Sequence, residues 1–141
     1  MFGKWHLSGP DGAEPGEQGF DEVFQSSGGR SKHEPDDPKA IYSLTKAAGD
    51  FMEKNKDRTF FVYLPHFAIH VHQEARKSTL AHFAAKTPGR QHHDALYAAC
   101  TYDLDDGIGI LLKKIKELGL EENTVVVFTS DNGGTQQSPA K

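Results

Sequence analysis

Cysteine is almost missing from this sequence: Cys100 stands alone among 141 residues. One thiol excludes an internal disulfide framework and any zinc site built from several cysteines. Long apolar runs are missing as well. No stretch approaches the ~20 residues that cross a bilayer, so no membrane span is expected. Met1-Phe2-Gly3-Lys4-Trp5 is no signal peptide. Positive charge is in deficit, with 16 Lys+Arg against 20 Asp+Glu and a net charge of −4. A chain that binds nucleic acid by neutralising phosphates carries the opposite balance, so no nucleic-acid partner is expected. Apolar residues make up only 36%, against the ~45–50% common in globular domains. One domain of ~100–200 residues fits the length, but the composition suits a polar, loop-rich fold or part of a larger body. Histidine is the excess that invites chemistry, with eight residues.

Residues 1–35 hold Gly3, Gly9, Gly12, Gly16, Gly19, Gly28 and Gly29 together with Pro10, Pro15 and Pro35. Apolar periodicity is nearly absent there, so this region reads as a surface connection with one short strand at most. Asp37-Pro38 has the form of an N-cap followed by proline at the first helical position. Ile41, Leu44, Ala48, Phe51 and Met52 then recur at helical spacing, predicting a helix to about residue 55. Thr59 to Leu64 is apolar throughout, as in a strand buried on both faces of a parallel sheet. A short helix is expected around residues 74–85. The stripe Leu96, Cys100, Leu104, Ile108, Leu111, Ile115, Leu118 predicts a long amphipathic helix, stopped by Gly119. Gly107 and Gly109 weaken its middle by ~1 kcal/mol each relative to alanine. Thr124 to Thr129 is the clearest strand. Helix–strand alternation of this kind predicts an α/β fold with a mostly parallel sheet flanked by helices. In such sheets ligands sit outside the carboxyl ends of the strands, where this sequence places Pro65 to His70 and Ser130-Asp131-Asn132.

Asp131-Asn132-Gly133-Gly134 sets a carboxylate and an amide carbonyl side by side, suited to Ca²⁺ or Mg²⁺; a plain turn has the same composition. His66, His70 and His72 surround a strand end, where imidazoles can bind zinc, donate to an anion or protonate a leaving group. For His72, His82, His92 and His93 a surface position is the simpler account. Gly3-Lys4-Trp5-His6-Leu7 puts an ammonium and an imidazole on one side of an extended segment, able to clamp an oxyanion, although a solvated lysine beside a packed tryptophan fits equally. Cys100 lies on an apolar stripe and reads as a core residue. Asp103, Asp105 and Asp106 read as the solvated or half-buried face of the long helix.

The order of these segments is more telling than any one of them. Gly3-Lys4-Trp5-His6-Leu7, Gly19-Phe20-Asp21, Phe60 to His70, Tyr97-Ala98-Ala99 with Asp105 and Gly109, and Gly119 to Gly133 succeed one another as in the formylglycine-dependent sulfatases. The chain closely resembles an internal part of the catalytic domain of that group, which belongs to the alkaline-phosphatase-like superfamily. The resemblance implies that Lys4 offsets sulfate charge and that His6 hydrogen-bonds the formylglycine hydrate or assists its regeneration. It implies that His70 contacts the sulfate and helps protonate the departing alcohol. Asp131 and Asn132 would be ligands of a divalent cation, usually calcium. The substrate would be a sulfate ester, of a sugar or an aryl alcohol. Relatives of this kind are commonly exported or lysosomal.

Several parts of the family pattern do not occur in these 141 residues: the Cys/Ser-x-Pro-x-Arg motif that supplies the nucleophile, the paired aspartates of the first strand, and a lysine beyond Asn132. Cys100 is followed by Thr101-Tyr102-Asp103-Leu104 and is not that nucleophile. The resemblance therefore implies an incomplete calcium site and no turnover by this chain alone. Two other functions fit the same residues: a phosphate or phosphonate ester hydrolase of the same superfamily, and a non-catalytic module that binds an anion or a metal.

Overall fold

The computed structural model describes residues 1–9, 12–25 and 34–133; Pro10, Gly28, Gly29, His33 and Gly134 lie outside that set. Among the described residues three α-helices carry the fold: α1 (Ile41–Asn55), α2 (Lys77–Ala84) and α3 (Ala95–Glu117), with 3₁₀ turns at Pro15–Gln18, Pro38–Ala40 and Glu121–Asn123. Helices α1 and α3 follow the apolar spacing of the sequence, and α2 falls within the helix expected around residues 74–85. Helix α1 begins three residues later than Asp37-Pro38 suggests, because Lys39 and Ala40 adopt positive φ (55° and 58°) and break the first turn. Asp37 still caps the helix from a distance: its carboxylate accepts the Tyr42 N–H at 2.7 Å and the Ser43 N–H at 3.3 Å. At the start of α3, Asp94 accepts the Tyr97 N–H at 2.9 Å. The helix ends in a Schellman turn, with Leu120 N–H on the Ile115 carbonyl at 3.0 Å, Gly119 N–H on that of Lys116 at 2.9 Å and Gly119 at φ +68°.

Helix α3 is the centre of the packing and touches both α1 and α2. Ile41, Leu44, Ala48 and Met52 of α1 and Ala99, Cys100 and Ile115 of α3 are buried. Gly107 lets the helices meet: a Cβ there would lie 2.6 Å from Ile41 Cγ2. Phe51 extends the core outward, its ring centroid 5.5 Å from that of Phe2 and 6.0 Å from that of Phe60.

The sheet expected between these helices is reduced to fragments among the described residues. Phe2 N–H donates to the Tyr63 carbonyl at 2.9 Å and Lys4 N–H to that of Pro65 at 2.8 Å. Both segments advance by two residues in the same direction, which is the register of a parallel pair. It sets Phe2 opposite Leu64 and Lys4 opposite His66. The return bond to the Phe2 carbonyl would have to come from the N–H of residue 65, and proline has none, so the ladder stays one-sided. On the other edge, Phe24 N–H donates to the Met1 carbonyl and Gly3 N–H to that of Phe24, both at 2.9 Å, closing a single parallel bridge between Phe2 and Phe24. The sequence expectation for 124–129 is not met in the same way: the segment is extended but unpaired among the described residues, with Val125 90% and Phe128 75% exposed.

Candidate active site

Gly3 brings the first motif to the end of the 59–64 segment. Its φ is +131°, and a Cβ would stand 2.2 Å from the Pro65 carbonyl oxygen, so only glycine permits this approach. Trp5 fixes the next step. Its indole N–H donates to the Ala13 carbonyl at 2.6 Å, and its ring meets Phe20 edge-on at 6.1 Å. Phe20 in turn stacks on Tyr63 at 6.1 Å. The Gly-Lys-Trp-His-Leu segment, the Gly19-Phe20-Asp21 segment and the end of 59–64 are therefore one packed unit. Lys4 is half-buried and His6 exposed, and neither side chain has an ion pair among the described residues.

His70 lies five residues beyond the Lys4–Pro65 contact, on an exposed turn in which its N–H donates to the Phe67 carbonyl at 3.0 Å. Its ring Nδ1 is 2.6 Å from the Val71 carbonyl. A carbonyl only accepts, so Nδ1 carries the proton and Nε2 is left for other partners. An imidazole held this way can take a proton on Nε2 and return it to a leaving group. His66 is the opposite case. Both its ring nitrogens are buried without a hydrogen-bond partner among the described residues, and burial pushes its pKa down to about 4, which makes it neutral and removes it as an anion's counter-charge. His72, His82, His92 and His93 are exposed, as expected.

Asp131 and Asn132 are exposed and lie at the end of the unpaired segment. The Ser130 hydroxyl donates to the Asn132 carbonyl at 2.6 Å, and Asn132 Nδ2 donates to that of Gly133 at 2.8 Å. No hydrogen bond among the described residues ties 125–133 to Lys4, His6 or His70. Two adjacent oxygen donors fall well short of the six to eight that calcium takes, and no group of three or more potential ligands occurs among the described residues. Asp131 and Asn132 thus do not amount to a calcium site by themselves.

One residue that sequence reasoning misjudged lies on α3. Asp103 belongs to no solvated face: it is fully buried and accepts the Arg76 N–H at 2.8 Å, Arg76 Nε at 2.9 Å and the Thr79 hydroxyl at 2.8 Å. Asp106 accepts Arg76 Nη2 and the Tyr42 hydroxyl, both at 3.0 Å, and the guanidinium lies 4.7 Å from the centre of the Tyr42 ring. Burial, reinforced by the hydrogen bond to Asp106, raises the Tyr42 pKa, so the phenol stays a donor. One helical turn before Asp103, Cys100 is buried as expected, and burial pushes its thiol pKa up, which suits a packed side chain and not a nucleophile. The spacing of three from Cys100 to Asp103 was the available signal, since it continues the inward stripe.

Comparison with known proteins matches the arrangement to one family. A family model described as Sulfatase matches residues 1–138. Rat steryl-sulfatase is 34% identical over 71% of this chain and 16% of its own length. A sulfatase of Formosa agariphila is 35% identical over 70% of this chain and 21% of its own length. Rat N-acetylgalactosamine-6-sulfatase is 27% identical over the whole of this chain and 31% of its own length. The chain therefore spans between about a sixth and a third of these relatives. A family match across nearly all residues, on a chain whose first motif is packed against the segment before His70, establishes that this chain belongs to the sulfatase family.

Proposed function

We propose that this chain is part of a sulfatase catalytic domain of alkaline-phosphatase-like α/β fold, and that the protein containing it hydrolyses sulfate esters. Lys4 offsets the negative charge that grows on the sulfate oxygens as the S–O bond breaks, an electrostatic role best played by a group already in place. His6 donates to the same oxyanion region. His70, with Nδ1 committed to the Val71 carbonyl, holds a proton on Nε2 and delivers it to the departing alcohol oxygen. Asp131 and Asn132 contribute two of the ligands of a divalent cation, completed by groups outside this set. Formylglycine, when present, supplies the hydrated aldehyde that attacks sulfur; no Cys/Ser-x-Pro-x-Arg motif occurs here, so these 141 residues by themselves release no sulfate from an aryl ester.

The observation that carries this reading is the hydrogen bond from the Lys4 N–H to the Pro65 carbonyl at 2.8 Å, which sets the Gly-Lys-Trp-His-Leu segment beside the segment that leads into His70; the Lys4 ammonium has no ion pair among the described residues. Titration of the isotope-labelled protein with inorganic sulfate tests it. The reading expects saturable shifts at Lys4, His6 and His70, lost in Lys4→Ala. Shifts spread evenly over the surface lysines, or none, would refute it.

A further inference from the structure

The loop that carries His70 is gripped at both ends. At its N-terminal end the Tyr63 and Pro65 carbonyls are held by the N–H groups of Phe2 and Lys4. The C-terminal grip comes from α3, and nothing in the proposed chemistry uses it. The two oxygens of Asp103 take the Arg76 N–H (2.8 Å) and Arg76 Nε (2.9 Å). Thr79, in the first turn of α2, adds its hydroxyl to the same carboxylate at 2.8 Å.

A fully buried carboxylate is costly to desolvate, and replacing such a cluster with packed apolar side chains is often neutral or stabilising. A buried cluster in a small domain is therefore better explained by the single geometry it enforces than by stability. Here the geometry enforced is that of the chain entering α2. Between the two grips lie residues 66–75, and His70 sits near their middle. With both ends fixed, the turn that sets His70 N–H on the Phe67 carbonyl and Nδ1 on the Val71 carbonyl is retained.

We infer that Asp103 forms a seat on α3 for the Arg76 backbone, and that it is a positioning residue for His70, selecting the ring tautomer that leaves Nε2 free. The catalytic half of this inference rests on the function proposed above; the coupling between Asp103 and His70 does not. Arg76 is the transmitting residue, since it alone offers Asp103 both a backbone and a side-chain donor. Asp106 and Tyr42 hold the far side of the guanidinium and keep Arg76 from turning away.

Histidine-ring ¹⁵N spectra and amide hydrogen exchange on the whole protein test the inference. In the unmodified chain His70 shows the Nδ1–H tautomer. In Asp103→Asn it becomes a mixture of tautomers, and amides 67–75 exchange at least tenfold faster. Ile115→Ala, a buried change elsewhere on α3, destabilises the fold but leaves both signals unchanged. If Asp103→Asn fails to fold, Arg76→Lys, which keeps the backbone bond, is measured in its place and shows the same direction. Unchanged His70 signals in the loop variants, or equal changes in Ile115→Ala, overturn the inference. Inorganic sulfate separates the two claims. A sulfate response at His70 without the coupling sinks the inference alone; coupling without a sulfate response sinks the proposed function and the catalytic half with it.

Discussion

Two glycines, two residues apart in α3, should respond to alanine with opposite signs. In an exposed helix interior, glycine costs ~1 kcal/mol relative to alanine. Gly109 meets that condition, with nothing within 4 Å of an added Cβ, so Gly109→Ala should stabilise the protein by about 1 kcal/mol. Gly107 gains the same propensity term but faces α1. Its added methyl would stand 2.6 Å from Ile41 Cγ2 and 3.2 Å from Thr45 Oγ1. Neither neighbour yields easily. Ile41 is fully buried and stiff at χ1 in a helix, while the Thr45 hydroxyl is held by the Ile41 carbonyl at 2.8 Å. Overpacking of this kind costs ~1–3 kcal/mol. The net for Gly107→Ala runs from no change to a loss of about 2 kcal/mol. The two variants should therefore differ by about 1–3 kcal/mol, a separation in urea midpoint on the order of 1 M for a slope typical of small proteins. Urea unfolding followed by far-UV circular dichroism measures it, provided the slopes agree. If Gly107→Ala gains as much as Gly109→Ala, the close α1–α3 crossing is wrong.

Three further outcomes follow from the same geometry. Gly3→Ala forces a methyl against the Pro65 carbonyl and puts a side chain at φ +131°; strain and lost backbone bonds together cost about 2–4 kcal/mol, and fluorescence of the single Trp5 should shift to the red. His66 is neutral when folded, with a pKa of about 4 against 6.5 in an ordinary histidine, so the unfolded chain binds a proton first as the pH falls. Stability is then fully present above about pH 6.5 and declines towards pH 4 by up to about 3 kcal/mol, and His66→Phe should flatten that slope in melts taken at stepped pH. Calorimetric titration with calcium should find no stoichiometric micromolar site on this chain, because Asp131 and Asn132 offer too few oxygens; a tight site would show that ligands converge where the described residues bring none together.

The helices were legible because burial and periodicity agree along them. Leu44, Ala48 and Met52 repeat on one side of α1, and Gly119 marks the end of α3 with the chemistry that a helix terminus requires. The start of α1 was not legible, because positive φ at Lys39 and Ala40 is a tertiary choice with no local signature. Asp103 was misread for a physical reason: patterning assigns a carboxylate to water, and donors more than twenty residues away in sequence, Arg76 and Thr79 foremost, make its burial tolerable. The strands were legible as propensity but not as pairing. A run such as Thr124 to Thr129 states that it wants neighbours, whereas a ladder depends on which neighbours exist and on whether each has an N–H to give, as Pro65 does not. In the candidate site, motif order pointed to Lys4, His6 and His70. The approach of the Gly3–Lys4 backbone to Pro65, however, is a contact that no spacing rule contains.

The position of Asp131 depends on the direction in which 124–129 pairs. Four consecutive apolar side chains, Val125 to Phe128, are more than half exposed. Burying each is worth ~1.5–3 kcal/mol, so a neighbouring strand would capture the segment readily. The chain already fixes a direction, since the Phe2–Phe24 bridge and the Phe2 and Lys4 bonds to Tyr63 and Pro65 are all parallel. If 124–129 joins in that sense, its end, and Asp131 with it, falls at the rim where His70 begins. An antiparallel entry reverses the segment and moves Asp131 away by about 20 Å, six residues at ~3.3 Å each. Spin labels distinguish the two without needing an absolute distance: with one label at His72→Cys, a second at Thr129→Cys should lie nearer than one at Asn123→Cys, while buried Cys100 stays unlabelled. The reverse order would separate the carboxylate from the histidine and remove the physical basis for a shared site.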